Sequence, residues 1–112
     1  MPTIEDCIFC KIVSGEIPKE KSYQDDKVIA FLDLKPKTKG HTLVIHKAHT
    51  PDFIGTSDEI LAELMPRIKT IAEKILKEYN ATGFNLTVNN GASAGQVISH
   101  LHFHIIPRTW NI

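Results

Sequence analysis

At 112 residues, with 42% apolar side chains and 13 Lys and Arg balancing 13 Asp and Glu, the chain reads as one small domain around a modest core. A bulk nucleic-acid binder carries a basic excess, so the balance points to a small or local ligand and not to nucleic acid. No run is long enough to span a bilayer, and residues 1–6 lack the basic-then-apolar pattern of a signal peptide, so no membrane association and a cytoplasmic location are expected. In that compartment Cys7 and Cys10 are expected as thiols or metal ligands, not as a structural disulfide.

Residues 7–13, CIFCKIV, are compact and apolar and read as a short helix ended by Ser14-Gly15. Residues 16–18 read as extended chain. Residues 28–33 read as a buried strand, 34–39 as a loop around Pro36, and 41–45 as a second strand after a turn at Gly40. Their closeness in sequence predicts an antiparallel pair. From about 57 to 79, Ile60, Leu61, Leu64, Ile68, Ile71, Ala72, Ile75 and Leu76 recur at three- and four-residue steps. Lys69, Glu73, Lys74, Lys77 and Glu78 take the other face, so this is an amphipathic helix, read as scaffold without chemistry of its own. Thr56 with Glu59 resembles a capping box, and Pro66 is a point where the helix can kink. Residues 80–83 read as a turn, 84–88 as an alternating strand, and 89–95, NNGASAG, as a small-residue loop. Residues 100–106 read as the last strand, closed by Pro107. The sum is an α+β layer architecture, an antiparallel sheet with one long and one short helix.

The chemistry concentrates in that last strand, His100-Leu101-His102-Phe103-His104-Ile105-Ile106. Side chains alternate along a strand, so His100, His102 and His104 share one face while Leu101, Phe103 and Ile105 face a core. Imidazole attacks, shuttles protons or binds metal near neutral pH, and three on one face point to a reaction centre or a metal site. A purification tag would be contiguous and would lack the alternating apolar residues. The preceding loop suits a phosphate cradle, because small residues let backbone N–H groups approach closely, and Asn89, Gln96 and Ser99 add neutral donors. A Gly-rich loop alone is weak evidence; its place before the histidines strengthens it.

The stretch from Ala94 to Arg108, AGQVISHLHFHIIPR, resembles the signature of the histidine-triad (HIT) family, and most closely its branch of small nucleotide-binding proteins. Cys7-Ile8-Phe9-Cys10-Lys11-Ile12 with Gly15-Glu16-Ile17-Pro18 is similar to the family's opening. Phe31-Leu32-Asp33 with Pro36, and Gly40-His41-Thr42-Leu43-Val44-Ile45, are similar to its middle. The resemblance implies a HIT-like antiparallel sheet of about five strands and a homodimer joined sheet edge to sheet edge. It implies that His102 attacks the α-phosphorus of a purine nucleotide, forming a nucleotidyl-histidine that water hydrolyses to a nucleoside monophosphate. An imidazole is both a good nucleophile and a good leaving group once phosphorylated. His104 would contact phosphate oxygens, His100 would support the site, and His41 would orient the nucleophile. Asn89 and Gln96 match phosphate contacts in the loop that Gly95 closes, and Asp33 matches the residue that accepts the ribose hydroxyls. Ile8, Phe9, Ile12 and Ile29 match the apolar purine pocket.

Members with an N-terminal CxxC complete a structural zinc site with two histidines, which match His49 and His100 here, beside Cys7 and Cys10. A redox dithiol and two inert buried cysteines are the rivals, although a redox CxxC normally follows a strand, and none precedes Cys7. Two departures stand out. His46 replaces a common proline, which places four histidines near one region and blurs the metal set. Val97 replaces a serine that contacts the phosphate and the leaving group in some members. The expected activity is that of a purine-nucleotide phosphoramidase or nucleotidyl hydrolase. The alternatives are hydrolysis of dinucleoside polyphosphates, a nucleotide-binding interaction module with incidental catalysis, and a plain zinc protein.

Overall fold

Two helices pack on opposite faces of one antiparallel sheet in the computed structural model, which describes residues 7–110. The reading of residues 1–6 lies outside the described residues. In chain order the elements are α1 (Ile8–Ser14), β1 (Tyr23–Gln24), β2 (Val28–Leu32), β3 (Thr42–His46), α2 (Asp58–Glu78), β4 (Gly83–Thr87), a 3₁₀ turn (Ala92–Ala94) and β5 (His102–Arg108). The sheet order is β1-β2-β3-β5-β4, with every neighbouring pair antiparallel. The expected β2–β3 pair is present, and β5 inserts beside β3 in the middle of the sheet. Strand β1 has only two residues, too short to carry a periodic signal.

The alternation read from the sequence sorts the two faces. Val28, Ala30, Val44, Leu101, Phe103 and Ile105 pack against Leu64, Ile68, Ile71, Ala72 and Ile75 of α2. On the other face Ile29, Phe31, Leu43 and Ile45 pack against Cys7, Phe9, Cys10 and Ile12. Each fully buried aliphatic side chain contributes about 1.5–3 kcal/mol relative to exposure, so both faces are needed by so small a chain. His102 lies opposite Ile45 and His104 opposite Leu43, which puts both histidines on the α1 face.

The ends of the elements follow from side-chain and backbone chemistry. In α1 the Cys7 thiol accepts from the Cys10 amide, and Gly15 ends the helix at φ +86°, a left-handed conformation that glycine adopts without steric cost. The start of α2 differs from expectation. Ser57 is the cap, accepting from the Ile60 amide, whereas the Thr56 hydroxyl is turned away to donate to the Asp52 carbonyl. The far end is a Schellman motif: Asn80 sits at φ +53°, its amide bonds Lys77, and the Ala81 amide bonds Leu76. Pro66 does not end α2, which runs on to Glu78.

The last strand also differs. It begins at His102, not His100, and runs through Pro107 to Arg108. A proline in an inner strand lacks a ladder donor. Here the pairing with β3 stops at Ile105, and the Pro107 carbonyl on that side accepts from the Thr38 hydroxyl at 2.8 Å. The missing N–H thus faces a position that β3 does not reach.

Candidate active site and metal centre

The three histidines divide between two sites. His100 precedes β5 and is fully buried, whereas His102 and His104 lie on the strand itself. Hydrogen bonds fix the ring states. His102 Nδ1 lies 2.8 Å from the His100 carbonyl oxygen, which only accepts, so Nδ1 carries the proton and Nε2 keeps its lone pair. His41 Nδ1 accepts from the Lys37 amide at 3.0 Å, so its Nε2–H is the donor across 2.9 Å to His104 Nδ1. That leaves the proton of His104 on Nε2. This atom is buried and has no hydrogen-bond partner. The His102 and His104 ring centroids are 5.1 Å apart, so a lone pair and an unpaired N–H donor sit side by side. Burial, reinforced by the neighbouring His102 and His41 rings, pulls His104 down to about 4, which keeps it neutral. Burial lowers His41 too, partly offset by the Asp33 carboxylate 3.5 Å from its Nε2.

His41 therefore bonds directly to His104, and the group bonded to His102 is the His100 carbonyl. Asp33, just past β2, is partly exposed and accepts from the Lys35 amide, with its second oxygen toward His41. The Phe9 ring stands edge-on to His102 at 5.1 Å and to His100 at 5.8 Å. Ile12 and Ile29 are buried behind it, and Ile8 is 44% exposed.

The loop before the histidines is more self-contained than a simple cradle. Its Ala94, Gly95 and Gln96 amides donate inward to the Ala92 and Gly91 carbonyls. The Gln96 side chain accepts from the Gly91 amide and donates to the Pro51 and Ile98 carbonyls. Gly95 sits at φ +95°, with Asn89 Nδ2 3.6 Å from where a Cβ would stand. Val97 is almost fully exposed and lines a cavity of about 380 Å³ with Cys7, Ile8 and His49.

The second site gathers Cys7, Cys10, His49 and His100, all buried, with their ligand atoms within 4.8 Å of one another. His49 Nδ1 is 3.2 Å from Cys10 Sγ and 3.2 Å from His100 Nδ1, and His100 Nδ1 is 3.4 Å from Cys7 Sγ and 3.6 Å from Cys10 Sγ. A tetrahedral ion of zinc's size would set nitrogens ~3.3 Å apart and sulfur–nitrogen pairs ~3.5 Å apart, so these spacings fit one. His100 Nε2–H donates to the His46 carbonyl at 3.0 Å, which leaves Nδ1 free to ligate. Burial lowers His49 and takes His100 down to about 4, favouring the neutral rings that a metal requires. The four residues can therefore hold a metal ion. His46 is outside the set. Its Nδ1 accepts from the Ala48 amide at 3.0 Å and its Nε2 donates to Glu63 at 2.8 Å.

The HIT domain model matches residues 14–111. The chain belongs to the HIT family. Among relatives, it is 44% identical to the adenosine 5′-monophosphoramidase hnt1 of Schizosaccharomyces pombe, over 91% of this chain and 74% of that protein. It is 47% identical to the adenylylsulfatase HINT3 of Arabidopsis thaliana, over 92% of this chain and 52% of that protein. Among solved structures, a HIT family protein from Bacillus anthracis is 47% identical, with TM-score 0.91 over 97% of this chain and 77% of that one. A Zn-bound histidine triad family protein from Mycobacterium smegmatis is 38% identical, with TM-score 0.89 over 95% and 77%. The HIT fold that the resemblance implied, an antiparallel sheet of about five strands with one long and one short helix, is the fold observed, with five strands.

Reasoning from sequence missed Glu63. Nothing distinguishes it from Glu59, Glu73 and Glu78 of the same helix until the fold brings it to His46. It also missed the His100 carbonyl, because a backbone atom leaves no mark in the sequence.

Proposed function

We propose that this HIT-family chain is a hydrolase that releases a purine nucleoside 5′-monophosphate from phosphoramidates and related mixed anhydrides. The observation that carries the reading is the pair of fixed ring states, a lone pair on His102 Nε2 beside an unpaired, buried N–H on His104. A buried donor without a partner is costly, and a phosphate oxygen would satisfy it. His102 Nε2 attacks the α-phosphorus, the bond from phosphorus to the leaving nitrogen or oxygen breaks, and the leaving group takes a proton from solvent. Water then cleaves the phosphorus–imidazole bond and frees the monophosphate. The loose transition state of phosphoryl transfer needs positioning and charge stabilisation, which His104 supplies through Nε2–H. His41 holds His104 in the donating tautomer, and the His100 carbonyl holds His102 in the attacking one.

Asp33 accepts the ribose hydroxyls. Asn89 contacts the phosphate, while Gln96 braces the loop that Gly95 closes. Phe9, with Ile8, Ile12 and Ile29 around it, forms the apolar wall for the base. Val97 offers no hydroxyl, so it shapes the leaving-group side without donating to it. Relatives named as an adenosine 5′-monophosphoramidase and an adenylylsulfatase support the substrate class. Zinc is the ion we assign to Cys7, Cys10, His49 and His100, supported by the zinc-bound relative. When bound it ties α1 to the segment entering β5. We assign a homodimer through β4, an edge strand whose Phe84 and Leu86 are 39% and 43% exposed, and a cytoplasmic location. No helix among the described residues is long and apolar enough to cross a membrane.

The test is single-turnover incubation with adenosine 5′-phosphoramidate, quenched in alkali and weighed intact. A gain of one AMP, absent in His102→Ala, is expected. AMP release that persists undiminished in His102→Ala would overturn the mechanism.

A further inference from the structure

The helix read as pure scaffold reaches the metal centre through one residue. Glu63 of α2 accepts from His46 Nε2–H at 2.8 Å. The same ring accepts the Ala48 amide at Nδ1. Both ring nitrogens are occupied, so the imidazole is held as a strut between α2 and the turn that leaves β3. That strut bears on two of the four ligands. The His46 carbonyl takes the Nε2–H of His100, aiming Nδ1 of that ring at the thiols. The turn closed by Ala48 leads directly to His49, the other imidazole of the set. The His100 carbonyl in turn accepts from the Nδ1–H of His102.

We infer that His46 and Glu63 form a positioning pair for the metal centre, orienting His100 and His49 together and so governing how tightly the ion is held. The pair rests on the reading of Cys7, Cys10, His49 and His100 as a metal site. It touches neither the ion nor the nucleotide. Groups hydrogen-bonded to a metal-ligating histidine commonly set affinity by ~10–100-fold, and the pair acts one bond further out on two ligands at once. Lys27 is the natural control. Its ammonium lies 3.6 Å from the other Glu63 oxygen, on the solvent side, and makes no bond to His46.

The experiment is zinc titration of the full chain against a chromophoric chelator, with melting curves of metal-free and loaded protein. Glu63→Ala, one bond further out than such groups, is expected to weaken zinc binding by several-fold, up to roughly 10-fold. Glu63→Gln, which keeps an acceptor oxygen, should restore most of it, and Lys27→Ala should leave it unchanged. His46→Asn keeps an acceptor for the Ala48 amide but loses the bond to Glu63. It should match Glu63→Ala, and the double variant should be no worse than either single one, since both remove the same bond. Cobalt-loaded Glu63→Ala should retain thiolate-to-metal absorption, showing an intact ligand set. Unaltered zinc affinity in Glu63→Ala and His46→Asn, or equal loss of melting temperature with and without metal, overturns the pairing. A wild-type chain that binds no zinc overturns the metal reading, and the inference with it.

Discussion

At the scale of single residues, the site is organised by tautomers, and protons are where its predictions lie. His104 is pulled down to about 4 by burial and by its ring neighbours, whereas an unfolded histidine titrates near 6.5. Between those values the unfolded chain binds a proton that the folded chain does not. Stability contributed by the neutral ring is therefore complete above about pH 6.5 and is lost as pH falls toward 4. Chemical denaturation of wild type and His104→Gln across that window should show a shallower pH slope for the variant. Parallel slopes would remove His104 from the acid response. If His104 donates to the phosphate as proposed, the shorter Gln amide should reach it poorly and kcat should fall by about 10²-fold, the usual cost of losing one such donor. The candidate residues stood out in the sequence as alternating histidines after a small-residue loop. Their hydrogen-bond partners were not, because two of them are backbone groups, the His100 carbonyl and the Lys37 amide. The link from His41 to His104, and not to His102, likewise needed the register of β3 against β5.

At the scale of elements, the strands and helices read from the hydrophobic period lie within two residues of their observed ends, and the departures have local causes. Ser57 displaces Thr56 as the α2 cap because the Thr56 hydroxyl is used by Asp52. Strand β1 was invisible because two residues cannot show a period. It is held instead by polar chemistry around Asp25. That carboxylate accepts from the Tyr23 hydroxyl, the Lys27 and Val28 amides, and Arg67 of α2. Burial pushes Asp25 up, and these bonds, the Tyr23 hydroxyl first among them, outweigh it and hold the group well below the usual carboxylate range. A depressed carboxylate stabilises the fold above its unfolded value near 3.8–3.9 and loses that contribution as pH falls further. Asp25→Asn should lower stability at neutral pH and flatten the acid limb below about pH 4, a window separate from that of His104. An unchanged acid limb would remove this turn from the account.

At the scale of the whole molecule, a small chain is joined across its middle by side chains distant in sequence. Cys7 and Cys10 stand at the start of α1, His49 follows β3, and His100 precedes β5, so one ion would connect the first helix, the end of the third strand and the entry to the last. A structural ion of this kind contributes folding free energy directly. Cys10→Ser, or chelation of the wild type, should lower the melting temperature and remove bound zinc together. A melting curve unmoved by either would leave the four residues as packing alone. The CxxC spacing with His49 and His100 made this set legible by resemblance. The exclusion of His46 was not legible, since its rival partner Glu63 is far away in sequence.

Pro107 guards the alignment of β5 on one side. A one-residue slip of β5 against β3 would turn Leu101, Phe103 and Ile105 out of the core, so the apolar pattern forbids odd slips. An even slip preserves the pattern and needs another guard. Sliding β5 by two residues one way would set Pro107 opposite Thr42, where the ladder requires an N–H that proline lacks. Sliding it the other way would bring Ile105 opposite Gly40, whose φ of +90° turns the chain out of the sheet, and would leave the Ile105 N–H without its ladder partner. Either slip leaves a backbone group of the ladder unpaired, and the native register, with His102 across from Ile45 and His104 across from Leu43, leaves none of these.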